Sequence, residues 1–202
     1  MGKAILLIVA ITNFVACSTT EKMTKEEIQL INNGSAETPY RVLLTTNRED
    51  SLLLRKKSTN IDVTKIASDK NLQLFIERLK MTMAVESGVG IAAPLVGLSR
   101  KIFLFMRLDK PECPVQVAIN PQIINHSDDT FCFERDGCLS IPEISGNSTR
   151  YNWVDVEYYD ESGQLIKERL YGGERGKDFT GVIFQHENDH LHGILFIDRL
   201  CD

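Results

Sequence analysis

The sequence predicts an α+β domain in which short antiparallel β-sheets pack around a central helix. Several short segments alternate apolar and polar side chains or are rich in β-branched and aromatic residues, as strands are. Two longer segments, residues 71–85 and 179–191, carry apolar side chains at helical spacing. Asp69 or Asn71 can cap the first of these helices, and residues 87–90, which contain two glycines, end it.

The predicted strands occupy the middle and later parts of the chain. Residues 153–159 alternate most regularly, and the turn sequence Asp-Glu-Ser-Gly at 160–163 predicts a hairpin into residues 164–171. Asn120 and Pro121 predict a turn between two shorter strands. The other predicted segments are strands at 101–108, 115–118 and 122–124, and a strand or turn at 50–55.

Size and charge limit the possible functions. With 202 residues, 43% of them hydrophobic and 25% charged, the chain suits one soluble globular domain with a substantial core. Its net charge of −5 disfavours the basic stripe of a nucleic-acid-binding protein, so we expect no nucleic-acid partner.

The N-terminus has the pattern of an export signal. Residues 1–16 begin with one lysine and are otherwise mainly apolar, but the apolar run is short for a membrane span. It ends in Phe-Val-Ala-Cys, which resembles a bacterial lipoprotein cleavage site with Cys17 as the lipidated residue. Residues 17–38 then form a polar tether and residues 39–202 the domain. This predicts a protein of the bacterial cell envelope, held outside the inner membrane by a lipid anchor only. The alternative is a buried N-terminal helix or strand.

Export also makes disulfide bonds permissible among the other cysteines. Cys113 and Cys132 are a candidate pair, but spacing alone does not establish the pairing. The remaining two are Cys138 and Cys201.

The segment with the clearest chemistry is Gln-His-Glu-Asn-Asp-His at residues 185–190. On a helix, His186 and His190 project from the same face because they lie four residues apart. Two such imidazoles suit one divalent metal, and Glu187 between them can transfer protons at a bound water molecule. The alternative is an ordinary polar helix turn.

A catalytic site of this kind commonly has three protein ligands and one open position. His126 lies in a polar turn, whereas Cys138 follows a glycine that permits unusual backbone angles. His192 lies only two residues beyond His190, so on a helix it points elsewhere. Composition does not choose among these candidates, and a cysteine is often only a small buried apolar residue.

Three separated stretches together resemble the motifs of peptide deformylases. They are GVGIAAPL at residues 88–95, DGCLS at 136–140 and QHENDH at 185–190, in the family's order and spacing. The resemblance covers roughly residues 41–200.

The resemblance implies a ligand set and a reaction. Cys138, His186 and His190 would ligate one divalent metal ion, usually Fe²⁺ in this family, with Zn²⁺, Ni²⁺ or Co²⁺ accepted. A thiolate and two imidazoles suit such borderline-soft metals. Water would take the fourth position, and Glu187 would move its proton to the leaving amine.

The resemblance also implies how substrate is held. The backbone N–H of Leu139 would face the developing oxyanion, and the backbones of Val89 and Gly90 would bind an extended peptide. Val182 and Ile183, on the helix face of His186, would line the pocket for the methionine side chain. They could equally be ordinary core residues.

Two positions depart from the family pattern. Leu95 stands where the family has a Gln that donates to the oxyanion, and loss of one such donor typically lowers turnover by about 10²–10³-fold. Water or Ser87 could substitute. Asp136 stands in place of a Glu, and we expect it to pair with Arg150 and hold the Cys138 loop from the second coordination shell.

The sequence therefore predicts a monomeric metal-dependent hydrolase that removes the formyl group from N-formyl-methionyl peptides, with turnover weakened by Leu95. A second hypothesis is an impaired deformylase-like protein that binds metal and formyl peptides. A peptidase of the His-Glu-x-x-His type is disfavoured, because only twelve residues follow His190 and only His192 among them could be its third ligand.

Overall fold

A computed structural model describes residues 22–201 as a mixed α/β fold with two antiparallel sheets. The predicted signal peptide and Cys17 lie outside these residues. The described helices are α1 (Lys25–Asn32), α2 (Arg48–Leu54), α3 (Lys70–Val85) and α4 (Thr180–His190), with 3₁₀ turns at Val63–Lys65, Ala93–Val96 and Phe196–Arg199. The strands are β1 (Gly90–Ala92), β2 (Ile102–Met106), β3 (Val115–His126), β4 (Thr130–Cys138), β5 (Ile141–Tyr151), β6 (Trp153–Tyr159) and β7 (Leu165–Tyr171).

The larger sheet has five strands in the order β1-β2-β3-β6-β7, and every neighbouring pair is antiparallel. The smaller sheet is the β4–β5 hairpin. Antiparallel sheets and the predicted hairpin of β6 and β7 are therefore confirmed. α4 packs against β1, β2 and β7 of the larger sheet and contacts β5 of the smaller one.

The predicted break at Asn120 is wrong, because β3 is one continuous strand. Asn120 has a positive φ of 50° and lies in an irregularity of the β3–β6 register. Its side-chain amide exchanges two hydrogen bonds of 2.8 Å with the backbone of Ile61. The turn residues therefore form a bulge that keeps the strand paired.

The segment at 50–55, predicted as a strand or turn, instead forms most of helix α2 and its C-cap, Arg55. Asn47 caps this helix, because its side-chain oxygen accepts hydrogen bonds from the N–H groups of Glu49 and Asp50. Asp69 caps α3 in the same way, accepting from Asn71 and Leu72. The composition of 50–55 suggested a strand or turn, but the cap at Asn47, three residues upstream, favours the helix.

Every residue of α4 is buried. Phe184 on this helix makes edge-to-face contacts with Phe103 and Phe105 of β2, at centroid distances of 4.9 and 5.3 Å. A Cβ atom at Gly181 would lie 2.6 Å from the carbonyl of Tyr171, so glycine permits the close approach of α4 to β7. Gln185 binds the backbone N–H and carbonyl of Tyr151, which fixes α4 against β5.

Part of the predicted tether packs against the domain. Ile31 of α1 is fully buried, and Arg78 of α3 donates to its carbonyl at 2.8 Å. Glu27 of α1 pairs with the buried Arg100 at 2.7 Å. Residues 22–38 therefore lie against the domain because α1 buries an apolar side chain there. No helix among the described residues has the length and apolarity needed to cross a membrane.

The cysteines do not pair as Cys113 with Cys132, so that candidate pairing is wrong. Cys132 forms a disulfide with Cys201, and Cys113 is free. The backbone explains the pairing. Leu200 bridges Ser148 of β5 in antiparallel register, which brings the chain end beside the residue of β5 that pairs with Cys132.

Candidate metal centre

Cys138 ends β4, while His186 and His190 lie one helical turn apart on α4. One ligand atom from each lies within 4.8 Å of the other two, and Cys138 remains a free cysteine. The Cys138 Sγ is 3.4 Å from the His190 Nε2. Two atoms bound tetrahedrally to one metal at about 2.3 Å (sulfur) and 2.1 Å (nitrogen) would be about 3.6 Å apart. The three donors therefore fit one borderline-soft divalent ion.

The other two histidines are placed elsewhere. His126 stacks on Tyr151 at a ring distance of 3.8 Å, and His192 is exposed with its Nδ1 bound to the carbonyl of Asn188. Neither belongs to the group of potential ligands found among the described residues. The geometry thus favours Cys138 over His126 and His192 as the third donor.

A chain of buried ion pairs orients His186. Its Nδ1 lies 3.0 Å from the Asp136 carboxylate, to which an Nδ1–H donates, and this leaves Nε2 free for a metal. Asp136 also pairs with Arg150 at 2.8 Å and accepts a hydrogen bond from Ser148 at 2.5 Å. Arg150 continues the chain to Asp189, again at 2.8 Å. Asp136 therefore orients the His186 imidazole and also joins the end of β4, which carries Cys138, to Arg150 of β5.

The pKa values of the two imidazoles are shifted in opposite directions. Although burial opposes protonation, the hydrogen bond to Asp136 raises the pKa of His186 above its usual value. Burial lowers the pKa of His190, and the nearby positive charge of His186 acts in the same direction. Because a ligating imidazole is neutral, the environment of His190 favours the ligating form.

Glu187 is buried beside this group, and its Oε2 has no hydrogen-bond partner among residues 22–201. Burial raises its pKa to about 7, against the opposing charge of His186. A carboxyl group that titrates near neutral pH can both accept and donate a proton. Gly90 makes room for it, because a Cβ atom there would lie 2.9 Å from the carboxyl carbon of Glu187.

Glu187 and His186 line a cavity of about 430 Å³. Val182 and Ile183 lie in its wall and also belong to the main apolar core. Val89 and Gly90, the other predicted substrate-binding residues, also line the cavity. So do Leu95 and Leu139, the two positions predicted at the oxyanion.

Leu95 is buried in the cavity wall, and its carbonyl accepts a hydrogen bond from the Leu43 N–H at 2.7 Å. Among the described residues that line the cavity, only His186 and Arg175 have side-chain N–H groups. The His186 Nδ1 is held by Asp136, and Arg175 lies against the rings of Phe133 and Phe179. Ser87 does not line the cavity.

Sequence reasoning missed three residues that support the site. Phe196 lies nearly parallel to the His186 ring at a centroid distance of 6.4 Å. Asp189 joins Arg150 to Arg199. Asp189 lies inside the QHENDH motif and could have been noticed there. Phe196 and Arg199 lie within the stretch that resembles the family, but the sequence did not place them at the site, because they reach it only through the path of the chain after α4.

Comparisons with known proteins agree with this geometry. The family model for polypeptide deformylase matches residues 42–202. Peptide deformylase 2 of a Nostoc species is 41% identical over 139 residues, which cover 65% of this chain and 73% of the relative. The peptide deformylase of Thermotoga maritima is 40% identical over 148 residues, 73% of this chain and 81% of the relative.

Solved structures give the same result. The crystal structure of the Thermotoga maritima deformylase matches with a TM-score of 0.69 and 34% identity, over 81% of this chain and 99% of that one. A Met-Ala-Ser-bound class I type b deformylase from Acinetobacter baumannii also matches with a TM-score of 0.69, at 29% identity and the same coverage. The chain therefore belongs to the peptide deformylase family and is a metal-dependent hydrolase that removes the formyl group from N-formyl-methionyl peptides.

Proposed function

We propose that Cys138, His186 and His190 hold the metal of this deformylase and that Fe²⁺ is its physiological ion. Zn²⁺, Ni²⁺ and Co²⁺ would be accepted by the same donors. The single observation that carries the proposal is the convergence of these three ligand atoms within 4.8 Å, beside a buried carboxyl group and a cavity. When bound, the metal polarises the formyl carbonyl and makes a water molecule more acidic.

Glu187 transfers the proton. Its carboxylate takes a proton from the attacking water and delivers it to the amine when the bond between the formyl carbon and nitrogen breaks. A pKa near 7 suits both steps, because the group then changes protonation state at little cost. Its burial keeps bulk water from competing for that proton.

The substrate lies along β1. This strand is at the edge of the five-stranded sheet and pairs only with β2, so the backbones of Val89 and Gly90 can bind an extended peptide. Val182 and Ile183 give the methionine side chain an apolar wall. The N–H of Leu139, which follows the ligand Cys138, donates to the oxyanion.

The direct test is formate release from a formyl-Met-Ala-Ser peptide by the purified protein loaded with Fe²⁺ or Ni²⁺. We expect Glu187→Ala to lower the rate by about 10²–10⁴-fold, because it removes the proton carrier while all three ligands remain. Metal content of the two proteins is measured in parallel. Equal rates at equal metal content would contradict the role of Glu187.

Leu95 supports a second candidate function, a protein that binds metal and formyl peptides with little turnover. The Leu95 side chain has no N–H to donate. Among residues 22–201, the two side chains with N–H groups that line the cavity are His186, held by Asp136, and Arg175, which donates to the carbonyls of Glu134 and Arg135. Calorimetric titration with the formyl peptide distinguishes the two functions. Binding without formate release favours the second, whereas release at a measurable rate favours a weakened enzyme.

We also propose that the protein is exported and anchored to the bacterial cell envelope through a lipid on Cys17. The apolar segment of residues 1–16 and its Phe-Val-Ala-Cys end support this location. The Cys132–Cys201 disulfide supports it too, since disulfides persist mainly in oxidising compartments. There the enzyme would act as a monomer on formylated peptides that reach the envelope.

Lipidation is tested by growing the producing bacteria with a labelled fatty acid. Label should enter the wild-type protein and be absent from Cys17→Ala, with Cys113→Ala as the matched control that retains it. Label in Cys17→Ala would contradict the anchor. Light scattering of the purified protein tests the monomer.

A further inference from the structure

The disulfide joins two parts of the chain that both contact the metal centre. Cys132 lies on β4, six residues before Cys138 on the same strand. Cys201 lies at the end of the C-terminal segment, residues 195–201, which runs beside β5. Its backbone N–H donates to the carbonyl of Asn147 at 2.8 Å. The bond therefore fixes this segment to the hairpin that carries a metal ligand.

The C-terminal segment packs directly behind the ligands. Leu195 and Phe196 are buried in a small apolar cluster with Ile141, against which Cys138 packs. The Phe196 ring lies 6.4 Å from the His186 ring at an interplanar angle of 17°. The C-terminal segment therefore packs against one side of the metal centre.

The same segment supplies the last charge of the buried chain of ion pairs. Arg199 pairs with Asp189 at 3.0 Å, and Asp189 pairs with Arg150 at 2.8 Å. Arg150 in turn holds Asp136, the partner of the His186 Nδ1. Arg199 lies two residues before Cys201, so its position depends on where the disulfide holds the chain end.

Apart from the buried Leu195 and Phe196, non-covalent support for this segment is limited. It consists of a single 3₁₀ turn, an isolated bridge to β5, and the partly exposed Arg55–Asp198 and Arg199–Asp189 pairs. Exposed ion pairs contribute little to stability. The disulfide is the covalent restraint that keeps Phe196 and Arg199 against the site.

We propose that the Cys132–Cys201 disulfide is a positioning element of the metal centre. It keeps Phe196 against His186 and Arg199 against Asp189, so that the ligands hold their geometry and release metal slowly. The inference rests on the proposed ligation by Cys138, His186 and His190. It assigns the disulfide a role in metal retention and thereby in turnover.

The test uses the full-length protein loaded with Co²⁺, whose visible absorption reports coordination by a thiolate. The double variant Cys132→Ser/Cys201→Ser is compared with wild type and with Cys113→Ser, which removes a free cysteine that is not among the potential metal ligands. We expect the double variant to lose Co²⁺ to a chelator about tenfold faster and to show a shifted cobalt spectrum. Cys113→Ser should match wild type in both measurements.

A purely structural bond would lower the melting temperature while the folded protein kept its cobalt spectrum and release rate, and this result would overturn the proposal. Arg199→Gln and Phe196→Leu keep the disulfide and test the same contacts if the double variant does not fold. At least one should also speed cobalt loss; wild-type rates in both would overturn the proposal.

The wild-type protein separates this inference from the proposed function. If it shows no thiolate-bound cobalt spectrum, the ligand set fails and the inference fails with it. If it binds cobalt and releases formate while the cysteine variants behave as wild type, only the positioning role is wrong.

Discussion

The two walls of the cavity are built differently. The first, called here the metal wall, consists of the end of β4 together with α4. Its His186 and Asp136 are buried and paired with each other, and Asp136 pairs in turn with Arg150 of β5. The second, the substrate wall, is residues 88–95, where Gly90 makes room for Glu187 and Leu95 presents only carbon. The metal wall therefore contains paired charged groups, whereas the substrate wall has no side-chain donor.

A metal-dependent hydrolase must both hold its metal and stabilise the charge that develops in the transition state, and the two walls differ in how well they are suited to these tasks. Holding a metal requires fixed donors and partners that orient them, and the metal wall provides both. Stabilising charge in the transition state also requires donors aimed at the oxyanion to assist the metal, and residues 88–95 offer only backbone N–H groups as donors. The chain should therefore bind metal well and turn over slowly.

Leu95→Gln would remove the difference and has the largest expected effect. The new amide can donate to the oxyanion, so kcat should rise by about 10²–10³-fold with little change in KM. Formate release at saturating peptide measures the change. Leu95→Met, which has a similar volume and no N–H, should show no such rise. An unchanged kcat in Leu95→Gln would mean that turnover is limited elsewhere.

Gly90→Ala would damage the substrate wall where it meets Glu187. The added methyl group would lie 2.9 Å from the carboxyl carbon of Glu187 and displace it, and we expect a loss in kcat of about 10²-fold. Metal content should stay at the wild-type level, because the three atoms nearest to the new methyl group all belong to Glu187, which is not a proposed ligand.

Gly90→Ala in a Glu187→Ala background distinguishes displacement of the Glu187 carboxylate from weaker binding of the peptide backbone. With the carboxylate gone, the methyl group should cost little more activity, so the two effects should not add. A full additional loss in the double variant would place the effect of Gly90 on peptide binding instead.

The two walls also differ in how much of them the sequence predicted. The proposed ligands His186 and His190 and the carboxylate of Glu187 follow from spacing on one helix, because residues four apart share a face. Cys138 lies 48 residues before His186, so only the three motifs together pointed to it. Leu95 was recognisable as a departure from the same motif pattern.

Long-range contacts account for what the sequence did not predict. Cys132 pairs with Cys201, 69 residues later, and the local sequence around either cysteine does not identify the other as its partner. Local turn residues suggested a break at Asn120, but pairing with β6 and the backbone of Ile61 kept the strand continuous. The polar composition of residues 17–38 similarly concealed Ile31, one apolar side chain that docks α1.

Asp136→Asn would weaken the metal wall and has the smallest expected effect on turnover once metal is saturating. The amide is neutral, and its N–H₂ group must face one of the donors now bound by the carboxylate, the His186 Nδ1–H or the guanidinium of Arg150. His186 is then held less firmly, and metal affinity should fall by about 10–100-fold while kcat at saturating metal changes little. Competition with a chelator measures the affinity.

The matched control is Asp155→Asn, which breaks a carboxylate–arginine pair of similar length, 2.7 Å to Arg169, between strands β6 and β7. Metal affinity should not change there, because Asp155 does not contact a ligand. If Asp136→Asn retained metal as tightly as Asp155→Asn, the buried pairs would serve only to fold the hairpin. A metal wall that tolerates the loss of the Asp136 carboxylate does not need paired charges to hold its ligands. The two walls would then differ only in Leu95.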